Sequence, residues 1–116
     1  MELIHRRLRR VDVLEIHGRI GSPEAAHLKE RIDQCFKAGR YHLVLDLSHL
    51  ESISSAGLRV LLEARKRARG LHLVFDGPGD VRLVNLPPRI KDVFDLTGLT
   101  DLFQRYDELV EAVASY

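Results

Sequence analysis

The residues of this chain that could do chemistry are few and scattered. Histidines stand at positions 5, 17, 27, 42, 49 and 72, and the single cysteine is Cys35. No His-x-x-x-His or His-x-His pair occurs, and Cys35 has no Cys partner, so linear spacing supports no metal site. His17 and His42 read instead as strand residues. A Gly-x-Ser-x-Gly elbow is also missing. Gly18-Arg19-Ile20-Gly21 is too short for a phosphate-binding or dinucleotide loop. It leads into Pro23, where those motifs use glycines and lysine, so it reads as a strand-to-helix turn. Asp46 stands alone at the end of an apolar run; without a second acid it reads as a turn or capping residue. No cofactor is expected.

One segment differs. Asp46 to Leu58 runs from an apolar stretch through Ser52-Ile53 to Ser54-Ser55-Ala56-Gly57 and into a helical pattern. Free N–H groups and the positive end of the helix dipole meet at such a helix start. A phosphate on serine there would sit in a ready anion site. It would add ~1.5 to 2 negative charges to a nearly neutral surface, enough to turn a partner away or recruit one. The plainer role for Ser54 or Ser55 is an N-cap, worth ~1 kcal/mol.

The elements that must position these serines follow from periodicity. Leu3–Leu8 and Val11–His17, split by Arg9-Arg10, read as a hairpin. Ser22, Pro23 and Glu24 open a helix whose inner stripe is Leu28, Ile32, Cys35 and Phe36, and Gly39 ends it. Tyr41–Leu47 is a strand buried on both faces; a short loop then leads to the serines. The next helix carries Leu58, Leu61, Leu62 and Ala68 inward. Leu71–Phe75 and Val81–Val84 flank Asp76-Gly77-Pro78-Gly79 as a second hairpin. Pro87-Pro88 introduces a helix holding Ile90, Val93, Phe94 and Thr97, closed by Gly98. Leu102–Tyr106 is a short strand, and Asp107 caps a last helix with Leu109, Val110 and Val113. This alternation predicts an α/β domain spanning residues 1–116, with a mostly parallel central sheet, an N-terminal hairpin and about four covering helices.

Bulk properties narrow the function. With 116 residues, 45% hydrophobic and 30% charged, the chain can bury a core without disulfides or metals. A net charge of +1 and 6% aromatics argue against nucleic-acid binding. The cluster Arg6, Arg7, Arg9 and Arg10 is then the solvated face of the first strand. No window reaches the ~18 apolar residues of a membrane span, and no signal peptide opens the chain. Cytoplasmic placement and no direct membrane insertion are expected.

The pattern Val-Leu-Asp-Leu-Ser…Ile-Ser-Ser-Ala-Gly-Leu-Arg-Val-Leu-Leu resembles the signature of STAS domains, found in bacterial anti-sigma factor antagonists. Gly18-Arg19-Ile20 matches that family's glycine turn after its second strand. Leu83-Val84-Asn85-Leu86 and Phe94-Asp95-Leu96-Thr97-Gly98-Leu99 look like its fourth strand and third helix. The resemblance implies a non-catalytic binding module that sequesters an anti-sigma factor serine kinase and so frees a sigma factor. Phosphorylation by that kinase inactivates the module and a serine phosphatase restores it. The family's phosphoserine falls two residues before the motif glycine, hence at Ser55, with Ser54 as the alternative. The implied partner surface is Gly21, Ser22, Ser54, Ser55, Gly57, Leu58 and Arg59. Three departures stand out: Ser54 and Gly21 replace acids common in kinase-regulated members, and Leu71–Pro78 is extra length, expected to form an added strand or ordered loop. The altered acids keep open a second reading, a STAS adaptor subunit of a lipid-transport system or signalling scaffold that uses no phosphate. An enzyme with Ser55 as nucleophile lacks a base supported by any motif.

Overall fold

The computed structural model describes residues 1–70 and 77–116, with the backbone alone at 72–73. Strands β1 (Glu2–Arg7) and β2 (Asp12–Ile20) form the expected antiparallel hairpin. Helix α1 (Ser22–Lys37) follows, then β3 (His42–Asp46), β4 (Leu50–Ile53) and helix α2 (Ser55–Arg69). The short β5 (His72–Leu73) and β6 (Gly77–Pro78) precede β7 (Asp80–Val84) and helix α3 (Pro88–Leu96). The chain finishes with β8 (Arg105–Tyr106) and helix α4 (Leu109–Ala114).

The main sheet has the order β1-β2-β3-β7-β8, and every pairing after the hairpin is parallel. β2 is longer than its neighbour β3. Its first half, from Asp12 to Glu15, pairs with β3; its end, from Gly18 to Ile20, pairs in parallel with β4 across a register shift at Gly18/Arg19. Alternation along the strands divides the core. Leu14, Ile16, Ile20, Leu43, Leu45 and Leu83 face α1, α2 and α3. Val11, Val13, Val44 and Val84 face α4 through Ala112. This is an α/β fold with a mostly parallel central sheet, an N-terminal hairpin and four helices, as the alternation of elements predicts.

Several expectations are corrected. The second hairpin does not form: β5 pairs antiparallel with β6, while β7 pairs in parallel with β3. The reason lies in β7, where Val81, Leu83 and Val84 are all buried, as a strand covered on both faces requires. The extra length at Leu71–Pro78 contributes the paired backbone of β5 and β6; Leu71 and Val74–Asp76 lie outside the described residues. The loop expected before the serines is strand β4. The strand expected over Leu102–Tyr106 shrinks to Arg105–Tyr106. Gly21, not Ser22, is the N-cap residue of α1, and Glu108, not Asp107, precedes α4. Leu62 is 37% exposed; the inner stripe of α2 runs through Leu58, Leu61, Ala64 and Ala68 instead.

Close approaches fix α2 and β7 against the sheet. A Cβ on Gly79 would lie 2.6 Å from the carbonyl oxygens of both Ala68 and Tyr41. Those are backbone atoms, so accommodation requires the end of α2 to move away from the start of β3. Arg67 donates to Asp33, tying α2 to α1, and that bond with the one from Lys29 holds the Asp33 carboxyl below the usual carboxylate range. Substitution of Gly79 by Ala is expected to cost about 1–3 kcal/mol through this overpacking, read as a lowered midpoint in urea unfolding with the slope unchanged.

Candidate functional site

Because β2 and β4 are parallel neighbours, the chain leaves both strands at the same sheet edge. Ile20 and Ile53 are register partners, and the residues that follow them start α1 and α2. The Ser54 N–H donates to the Ile20 carbonyl at 2.8 Å, extending the ladder up to the helix start. The two helix N-termini read from the sequence, Gly21-Ser22 and Ser54-Ser55, are thereby brought together.

Within this site the serines have separate roles. Ser54 is the N-cap: its backbone is extended and its hydroxyl accepts from the Gly57 N–H at 3.2 Å. Its own carbonyl accepts from Leu58 N–H at 3.0 Å. Ser55 is the first helical residue; it is exposed, and its hydroxyl has no hydrogen-bond partner among the described residues. The first turn of α2 carries no acid, so a phosphate at Ser55 would meet the helix dipole without a repelling carboxylate on that turn. At the start of α1, Glu24 reaches back and accepts from the Gly21 N–H at 2.9 Å, which places a carboxylate beside Gly21.

Of the surface implied by the resemblance, Ser22, Ser55 and Arg59 are exposed, and Gly21 and Ser54 half-buried. Gly57 and Leu58 are buried. A Cβ on Gly57 would stand 2.7 Å from Ile53 Cγ1 and 2.8 Å from Ile20 Cγ2. Gly57 thus lets α2 settle on the ends of β2 and β4, and Leu58 faces the core below it. These residues position the serines rather than offer surface. Asp46 makes the turn assigned to it: its Oδ1 accepts from the Ser48 N–H at 3.1 Å.

Linear spacing also missed two groupings of donor side chains that only the sheet assembles. Glu15, His17 and His49 meet on the α4 side, where Glu15 Oε1 lies 3.4 Å from His17 Nε2 and 3.9 Å from His49 Nε2. His5, Asp12 and Cys35 meet on the α1 side. Burial, with the Asp12 carboxylate beside it, pushes the Cys35 thiol up to about 11, which leaves the free thiol inert near neutral pH. Asp12 within the apolar run Val11–Leu14 was the available sequence signal for the second group, since a buried acid needs partners.

Comparison with known proteins agrees with this geometry. Residues 4–112 match the STAS domain family. The chain belongs to that family. A candidate anti-sigma factor antagonist of Bordetella bronchiseptica, BtrV, is 31% identical over 101 residues, covering 87% of this chain and 82% of that protein. Among solved structures, a candidate anti-sigma factor antagonist from Thermotoga maritima superposes with a TM-score of 0.83 at 24% identity, covering 97% of this chain and 92% of that one. The Bacillus cell fate determinant SpoIIAA in its phosphorylated form superposes at 0.75 with 16% identity, covering 98% of each chain. At these identities the two structures establish the fold alone. No helix among the described residues is long and apolar enough to cross a membrane.

The division of labour between the serines gives distinct stabilities. Ser54→Ala should lower stability by about 1 kcal/mol, while Ser54→Asp, an equally good cap, should retain it. Ser55→Ala should change it by less than ~0.5 kcal/mol. Chemical denaturation of the three variants checks all three values.

Proposed function

We propose that this STAS protein is an anti-sigma factor antagonist, a binding module that sequesters an anti-sigma factor serine kinase and releases a sigma factor for transcription. The observation that carries the reading is Ser55: an exposed residue at the start of α2 whose hydroxyl has no hydrogen-bond partner among the described residues, at the place the family's phosphoserine motif assigns. The relationship to BtrV, a candidate antagonist, supports the same role. In this reading residues 1–116 act as one domain. The partner docks over Ser22, Ser55 and Arg59, and the half-buried Gly21 and Ser54 let its backbone approach closely. Phosphate on Ser55 then places charge in the contact, where it costs binding unless a cation meets it. A serine phosphatase reverses the state.

The module acts by binding, not turnover. Among the described residues no histidine or carboxylate is hydrogen-bonded to the Ser55 hydroxyl, whereas a serine nucleophile needs a base within hydrogen-bond reach.

Capture from the native host's lysate, with bound proteins identified by mass spectrometry, tests the proposal. Wild type should retain an ATP-binding anti-sigma kinase, and Ser55→Asp should lose it by tenfold or more, about 1.4 kcal/mol. If both forms instead retain a transporter or scaffold protein, the chain is a constitutive adaptor and its serines serve only the helix.

A further inference from the structure

We propose that His5, Asp12 and Cys35 form a binding site for a divalent transition metal, zinc by the chemistry of the donors, between the N-terminal hairpin and α1. One nitrogen faces both other donors: His5 Nε2 lies 3.3 Å from Asp12 Oδ1 and 3.9 Å from Cys35 Sγ. All of the donor atoms lie within 4.8 Å of one another. Tetrahedral zinc, with bonds of ~2.3 Å to sulfur and ~2.0–2.1 Å to nitrogen and oxygen, separates its ligand atoms by about 3.3–3.6 Å. The His5–Asp12 separation already matches such an edge, the His5–Cys35 separation is slightly longer, and the Asp12 and Cys35 donors lie within 4.8 Å of each other.

Asp12 supplies the second observation. Its side chain is 1% exposed, and Oδ1 is buried without an aligned hydrogen bond, its contact with His5 Nε2 at 3.3 Å being that of an ion pair. A buried carboxylate oxygen left in that state is costly. The other oxygen is fully engaged: Arg40 Nε donates to Oδ2 at 2.9 Å, and the same guanidinium donates to the Leu8 carbonyl at 2.5 Å. Arg40 thus fixes the carboxylate with its other oxygen turned toward His5, the arrangement by which outer partners orient a metal ligand. A cavity of about 180 Å³ opens beside these donors, with Gln34 in its wall, room for water to complete the coordination. Binding exchanges the thiol proton of Cys35 for the metal–sulfur bond and releases that proton to solvent.

The second grouping is the poorer candidate. The His17 and His49 rings are stacked with centroids 4.4 Å apart and planes at 16°, so their lone pairs lie in nearly parallel, separated planes and do not meet at one point in both.

Titration of the chelator-stripped full chain with cobalt(II) tests the site. A single equivalent should bring up the near-ultraviolet charge-transfer absorption of a cobalt thiolate, zinc should displace it, and zinc should raise the thermal midpoint. Cys35→Ser should abolish the band with circular dichroism unchanged. His5→Gln, at a side chain already 24% exposed, should weaken cobalt binding about tenfold or more. His17→Ala should leave the band intact. Cobalt binding without thiolate charge transfer, a band that survives Cys35→Ser, or no binding by the folded chain would each overturn the proposal.

Discussion

Strand β2 is the constraint on which the rest depends. It pairs with β1 on one side and on the other hands over from β3 to β4 as it passes Gly18. That handover lets two strands end side by side, and a parallel pair that ends in register must send both outgoing helices from the same edge. The glycine is needed where the handover occurs: Gly18 has φ of +87° while its N–H donates to the His49 carbonyl at 3.0 Å. Everything proposed about Ser55 follows from this geometry, because a serine at the start of α2 matters only if the helix start is held rigidly at an exposed edge.

The edge is held from beneath by apolar packing and from above by backbone hydrogen bonds. Gly57 brings α2 down onto Ile20 and Ile53, and Leu58 and Leu61 continue the contact into the core. Ser54 commits its hydroxyl to the cap, whereas the Ser55 hydroxyl has no hydrogen-bond partner among the described residues. Two adjacent hydroxyls with nearly identical chemistry are thus distinguished by one hydrogen bond. The far side of the sheet is closed differently. There the Tyr116 hydroxyl lies 2.7 Å from the carbonyls of Leu43 and Asp80, its ring packs on His42, and Arg82 donates to the Ser115 carbonyl at the end of α4. Burial and the Asp80 carboxylate push the Tyr116 phenol far above its ordinary range, so it remains a neutral donor.

Much of this was legible in the chain. The hairpin, the buried central strand, the stripe Leu28, Ile32, Cys35 and Phe36, and the start of α2 all carry strong local signals: alternation, an unbroken apolar run, helical spacing and a serine at a helix start. The failures share a cause. β4 reads as loop because Glu51 and Ser52 are polar and the segment is short; its pairing depends on the end of β2, far away in sequence. For β7 the sequence suggests the wrong partner, because two apolar runs around a glycine-rich turn look like a hairpin, and only the place beside β3 shows otherwise.

What the sequence by itself determined was most of the succession of strands and helices, and the family, since these rest on periodicities and a motif contained within short stretches. Tertiary structure alone decided which implied surface residues are available to a partner, because Gly57 and Leu58 are buried only once α2 lies on β2 and β4. It alone decided that the Ser54 hydroxyl is occupied and that the Ser55 hydroxyl has no partner among the described residues. It also decided that His5, Asp12 and Cys35 are neighbours. Their donors come from two strands and a helix, and proximity across elements leaves no trace in linear spacing: it exists only when the sheet sets the register and the helix packs across it.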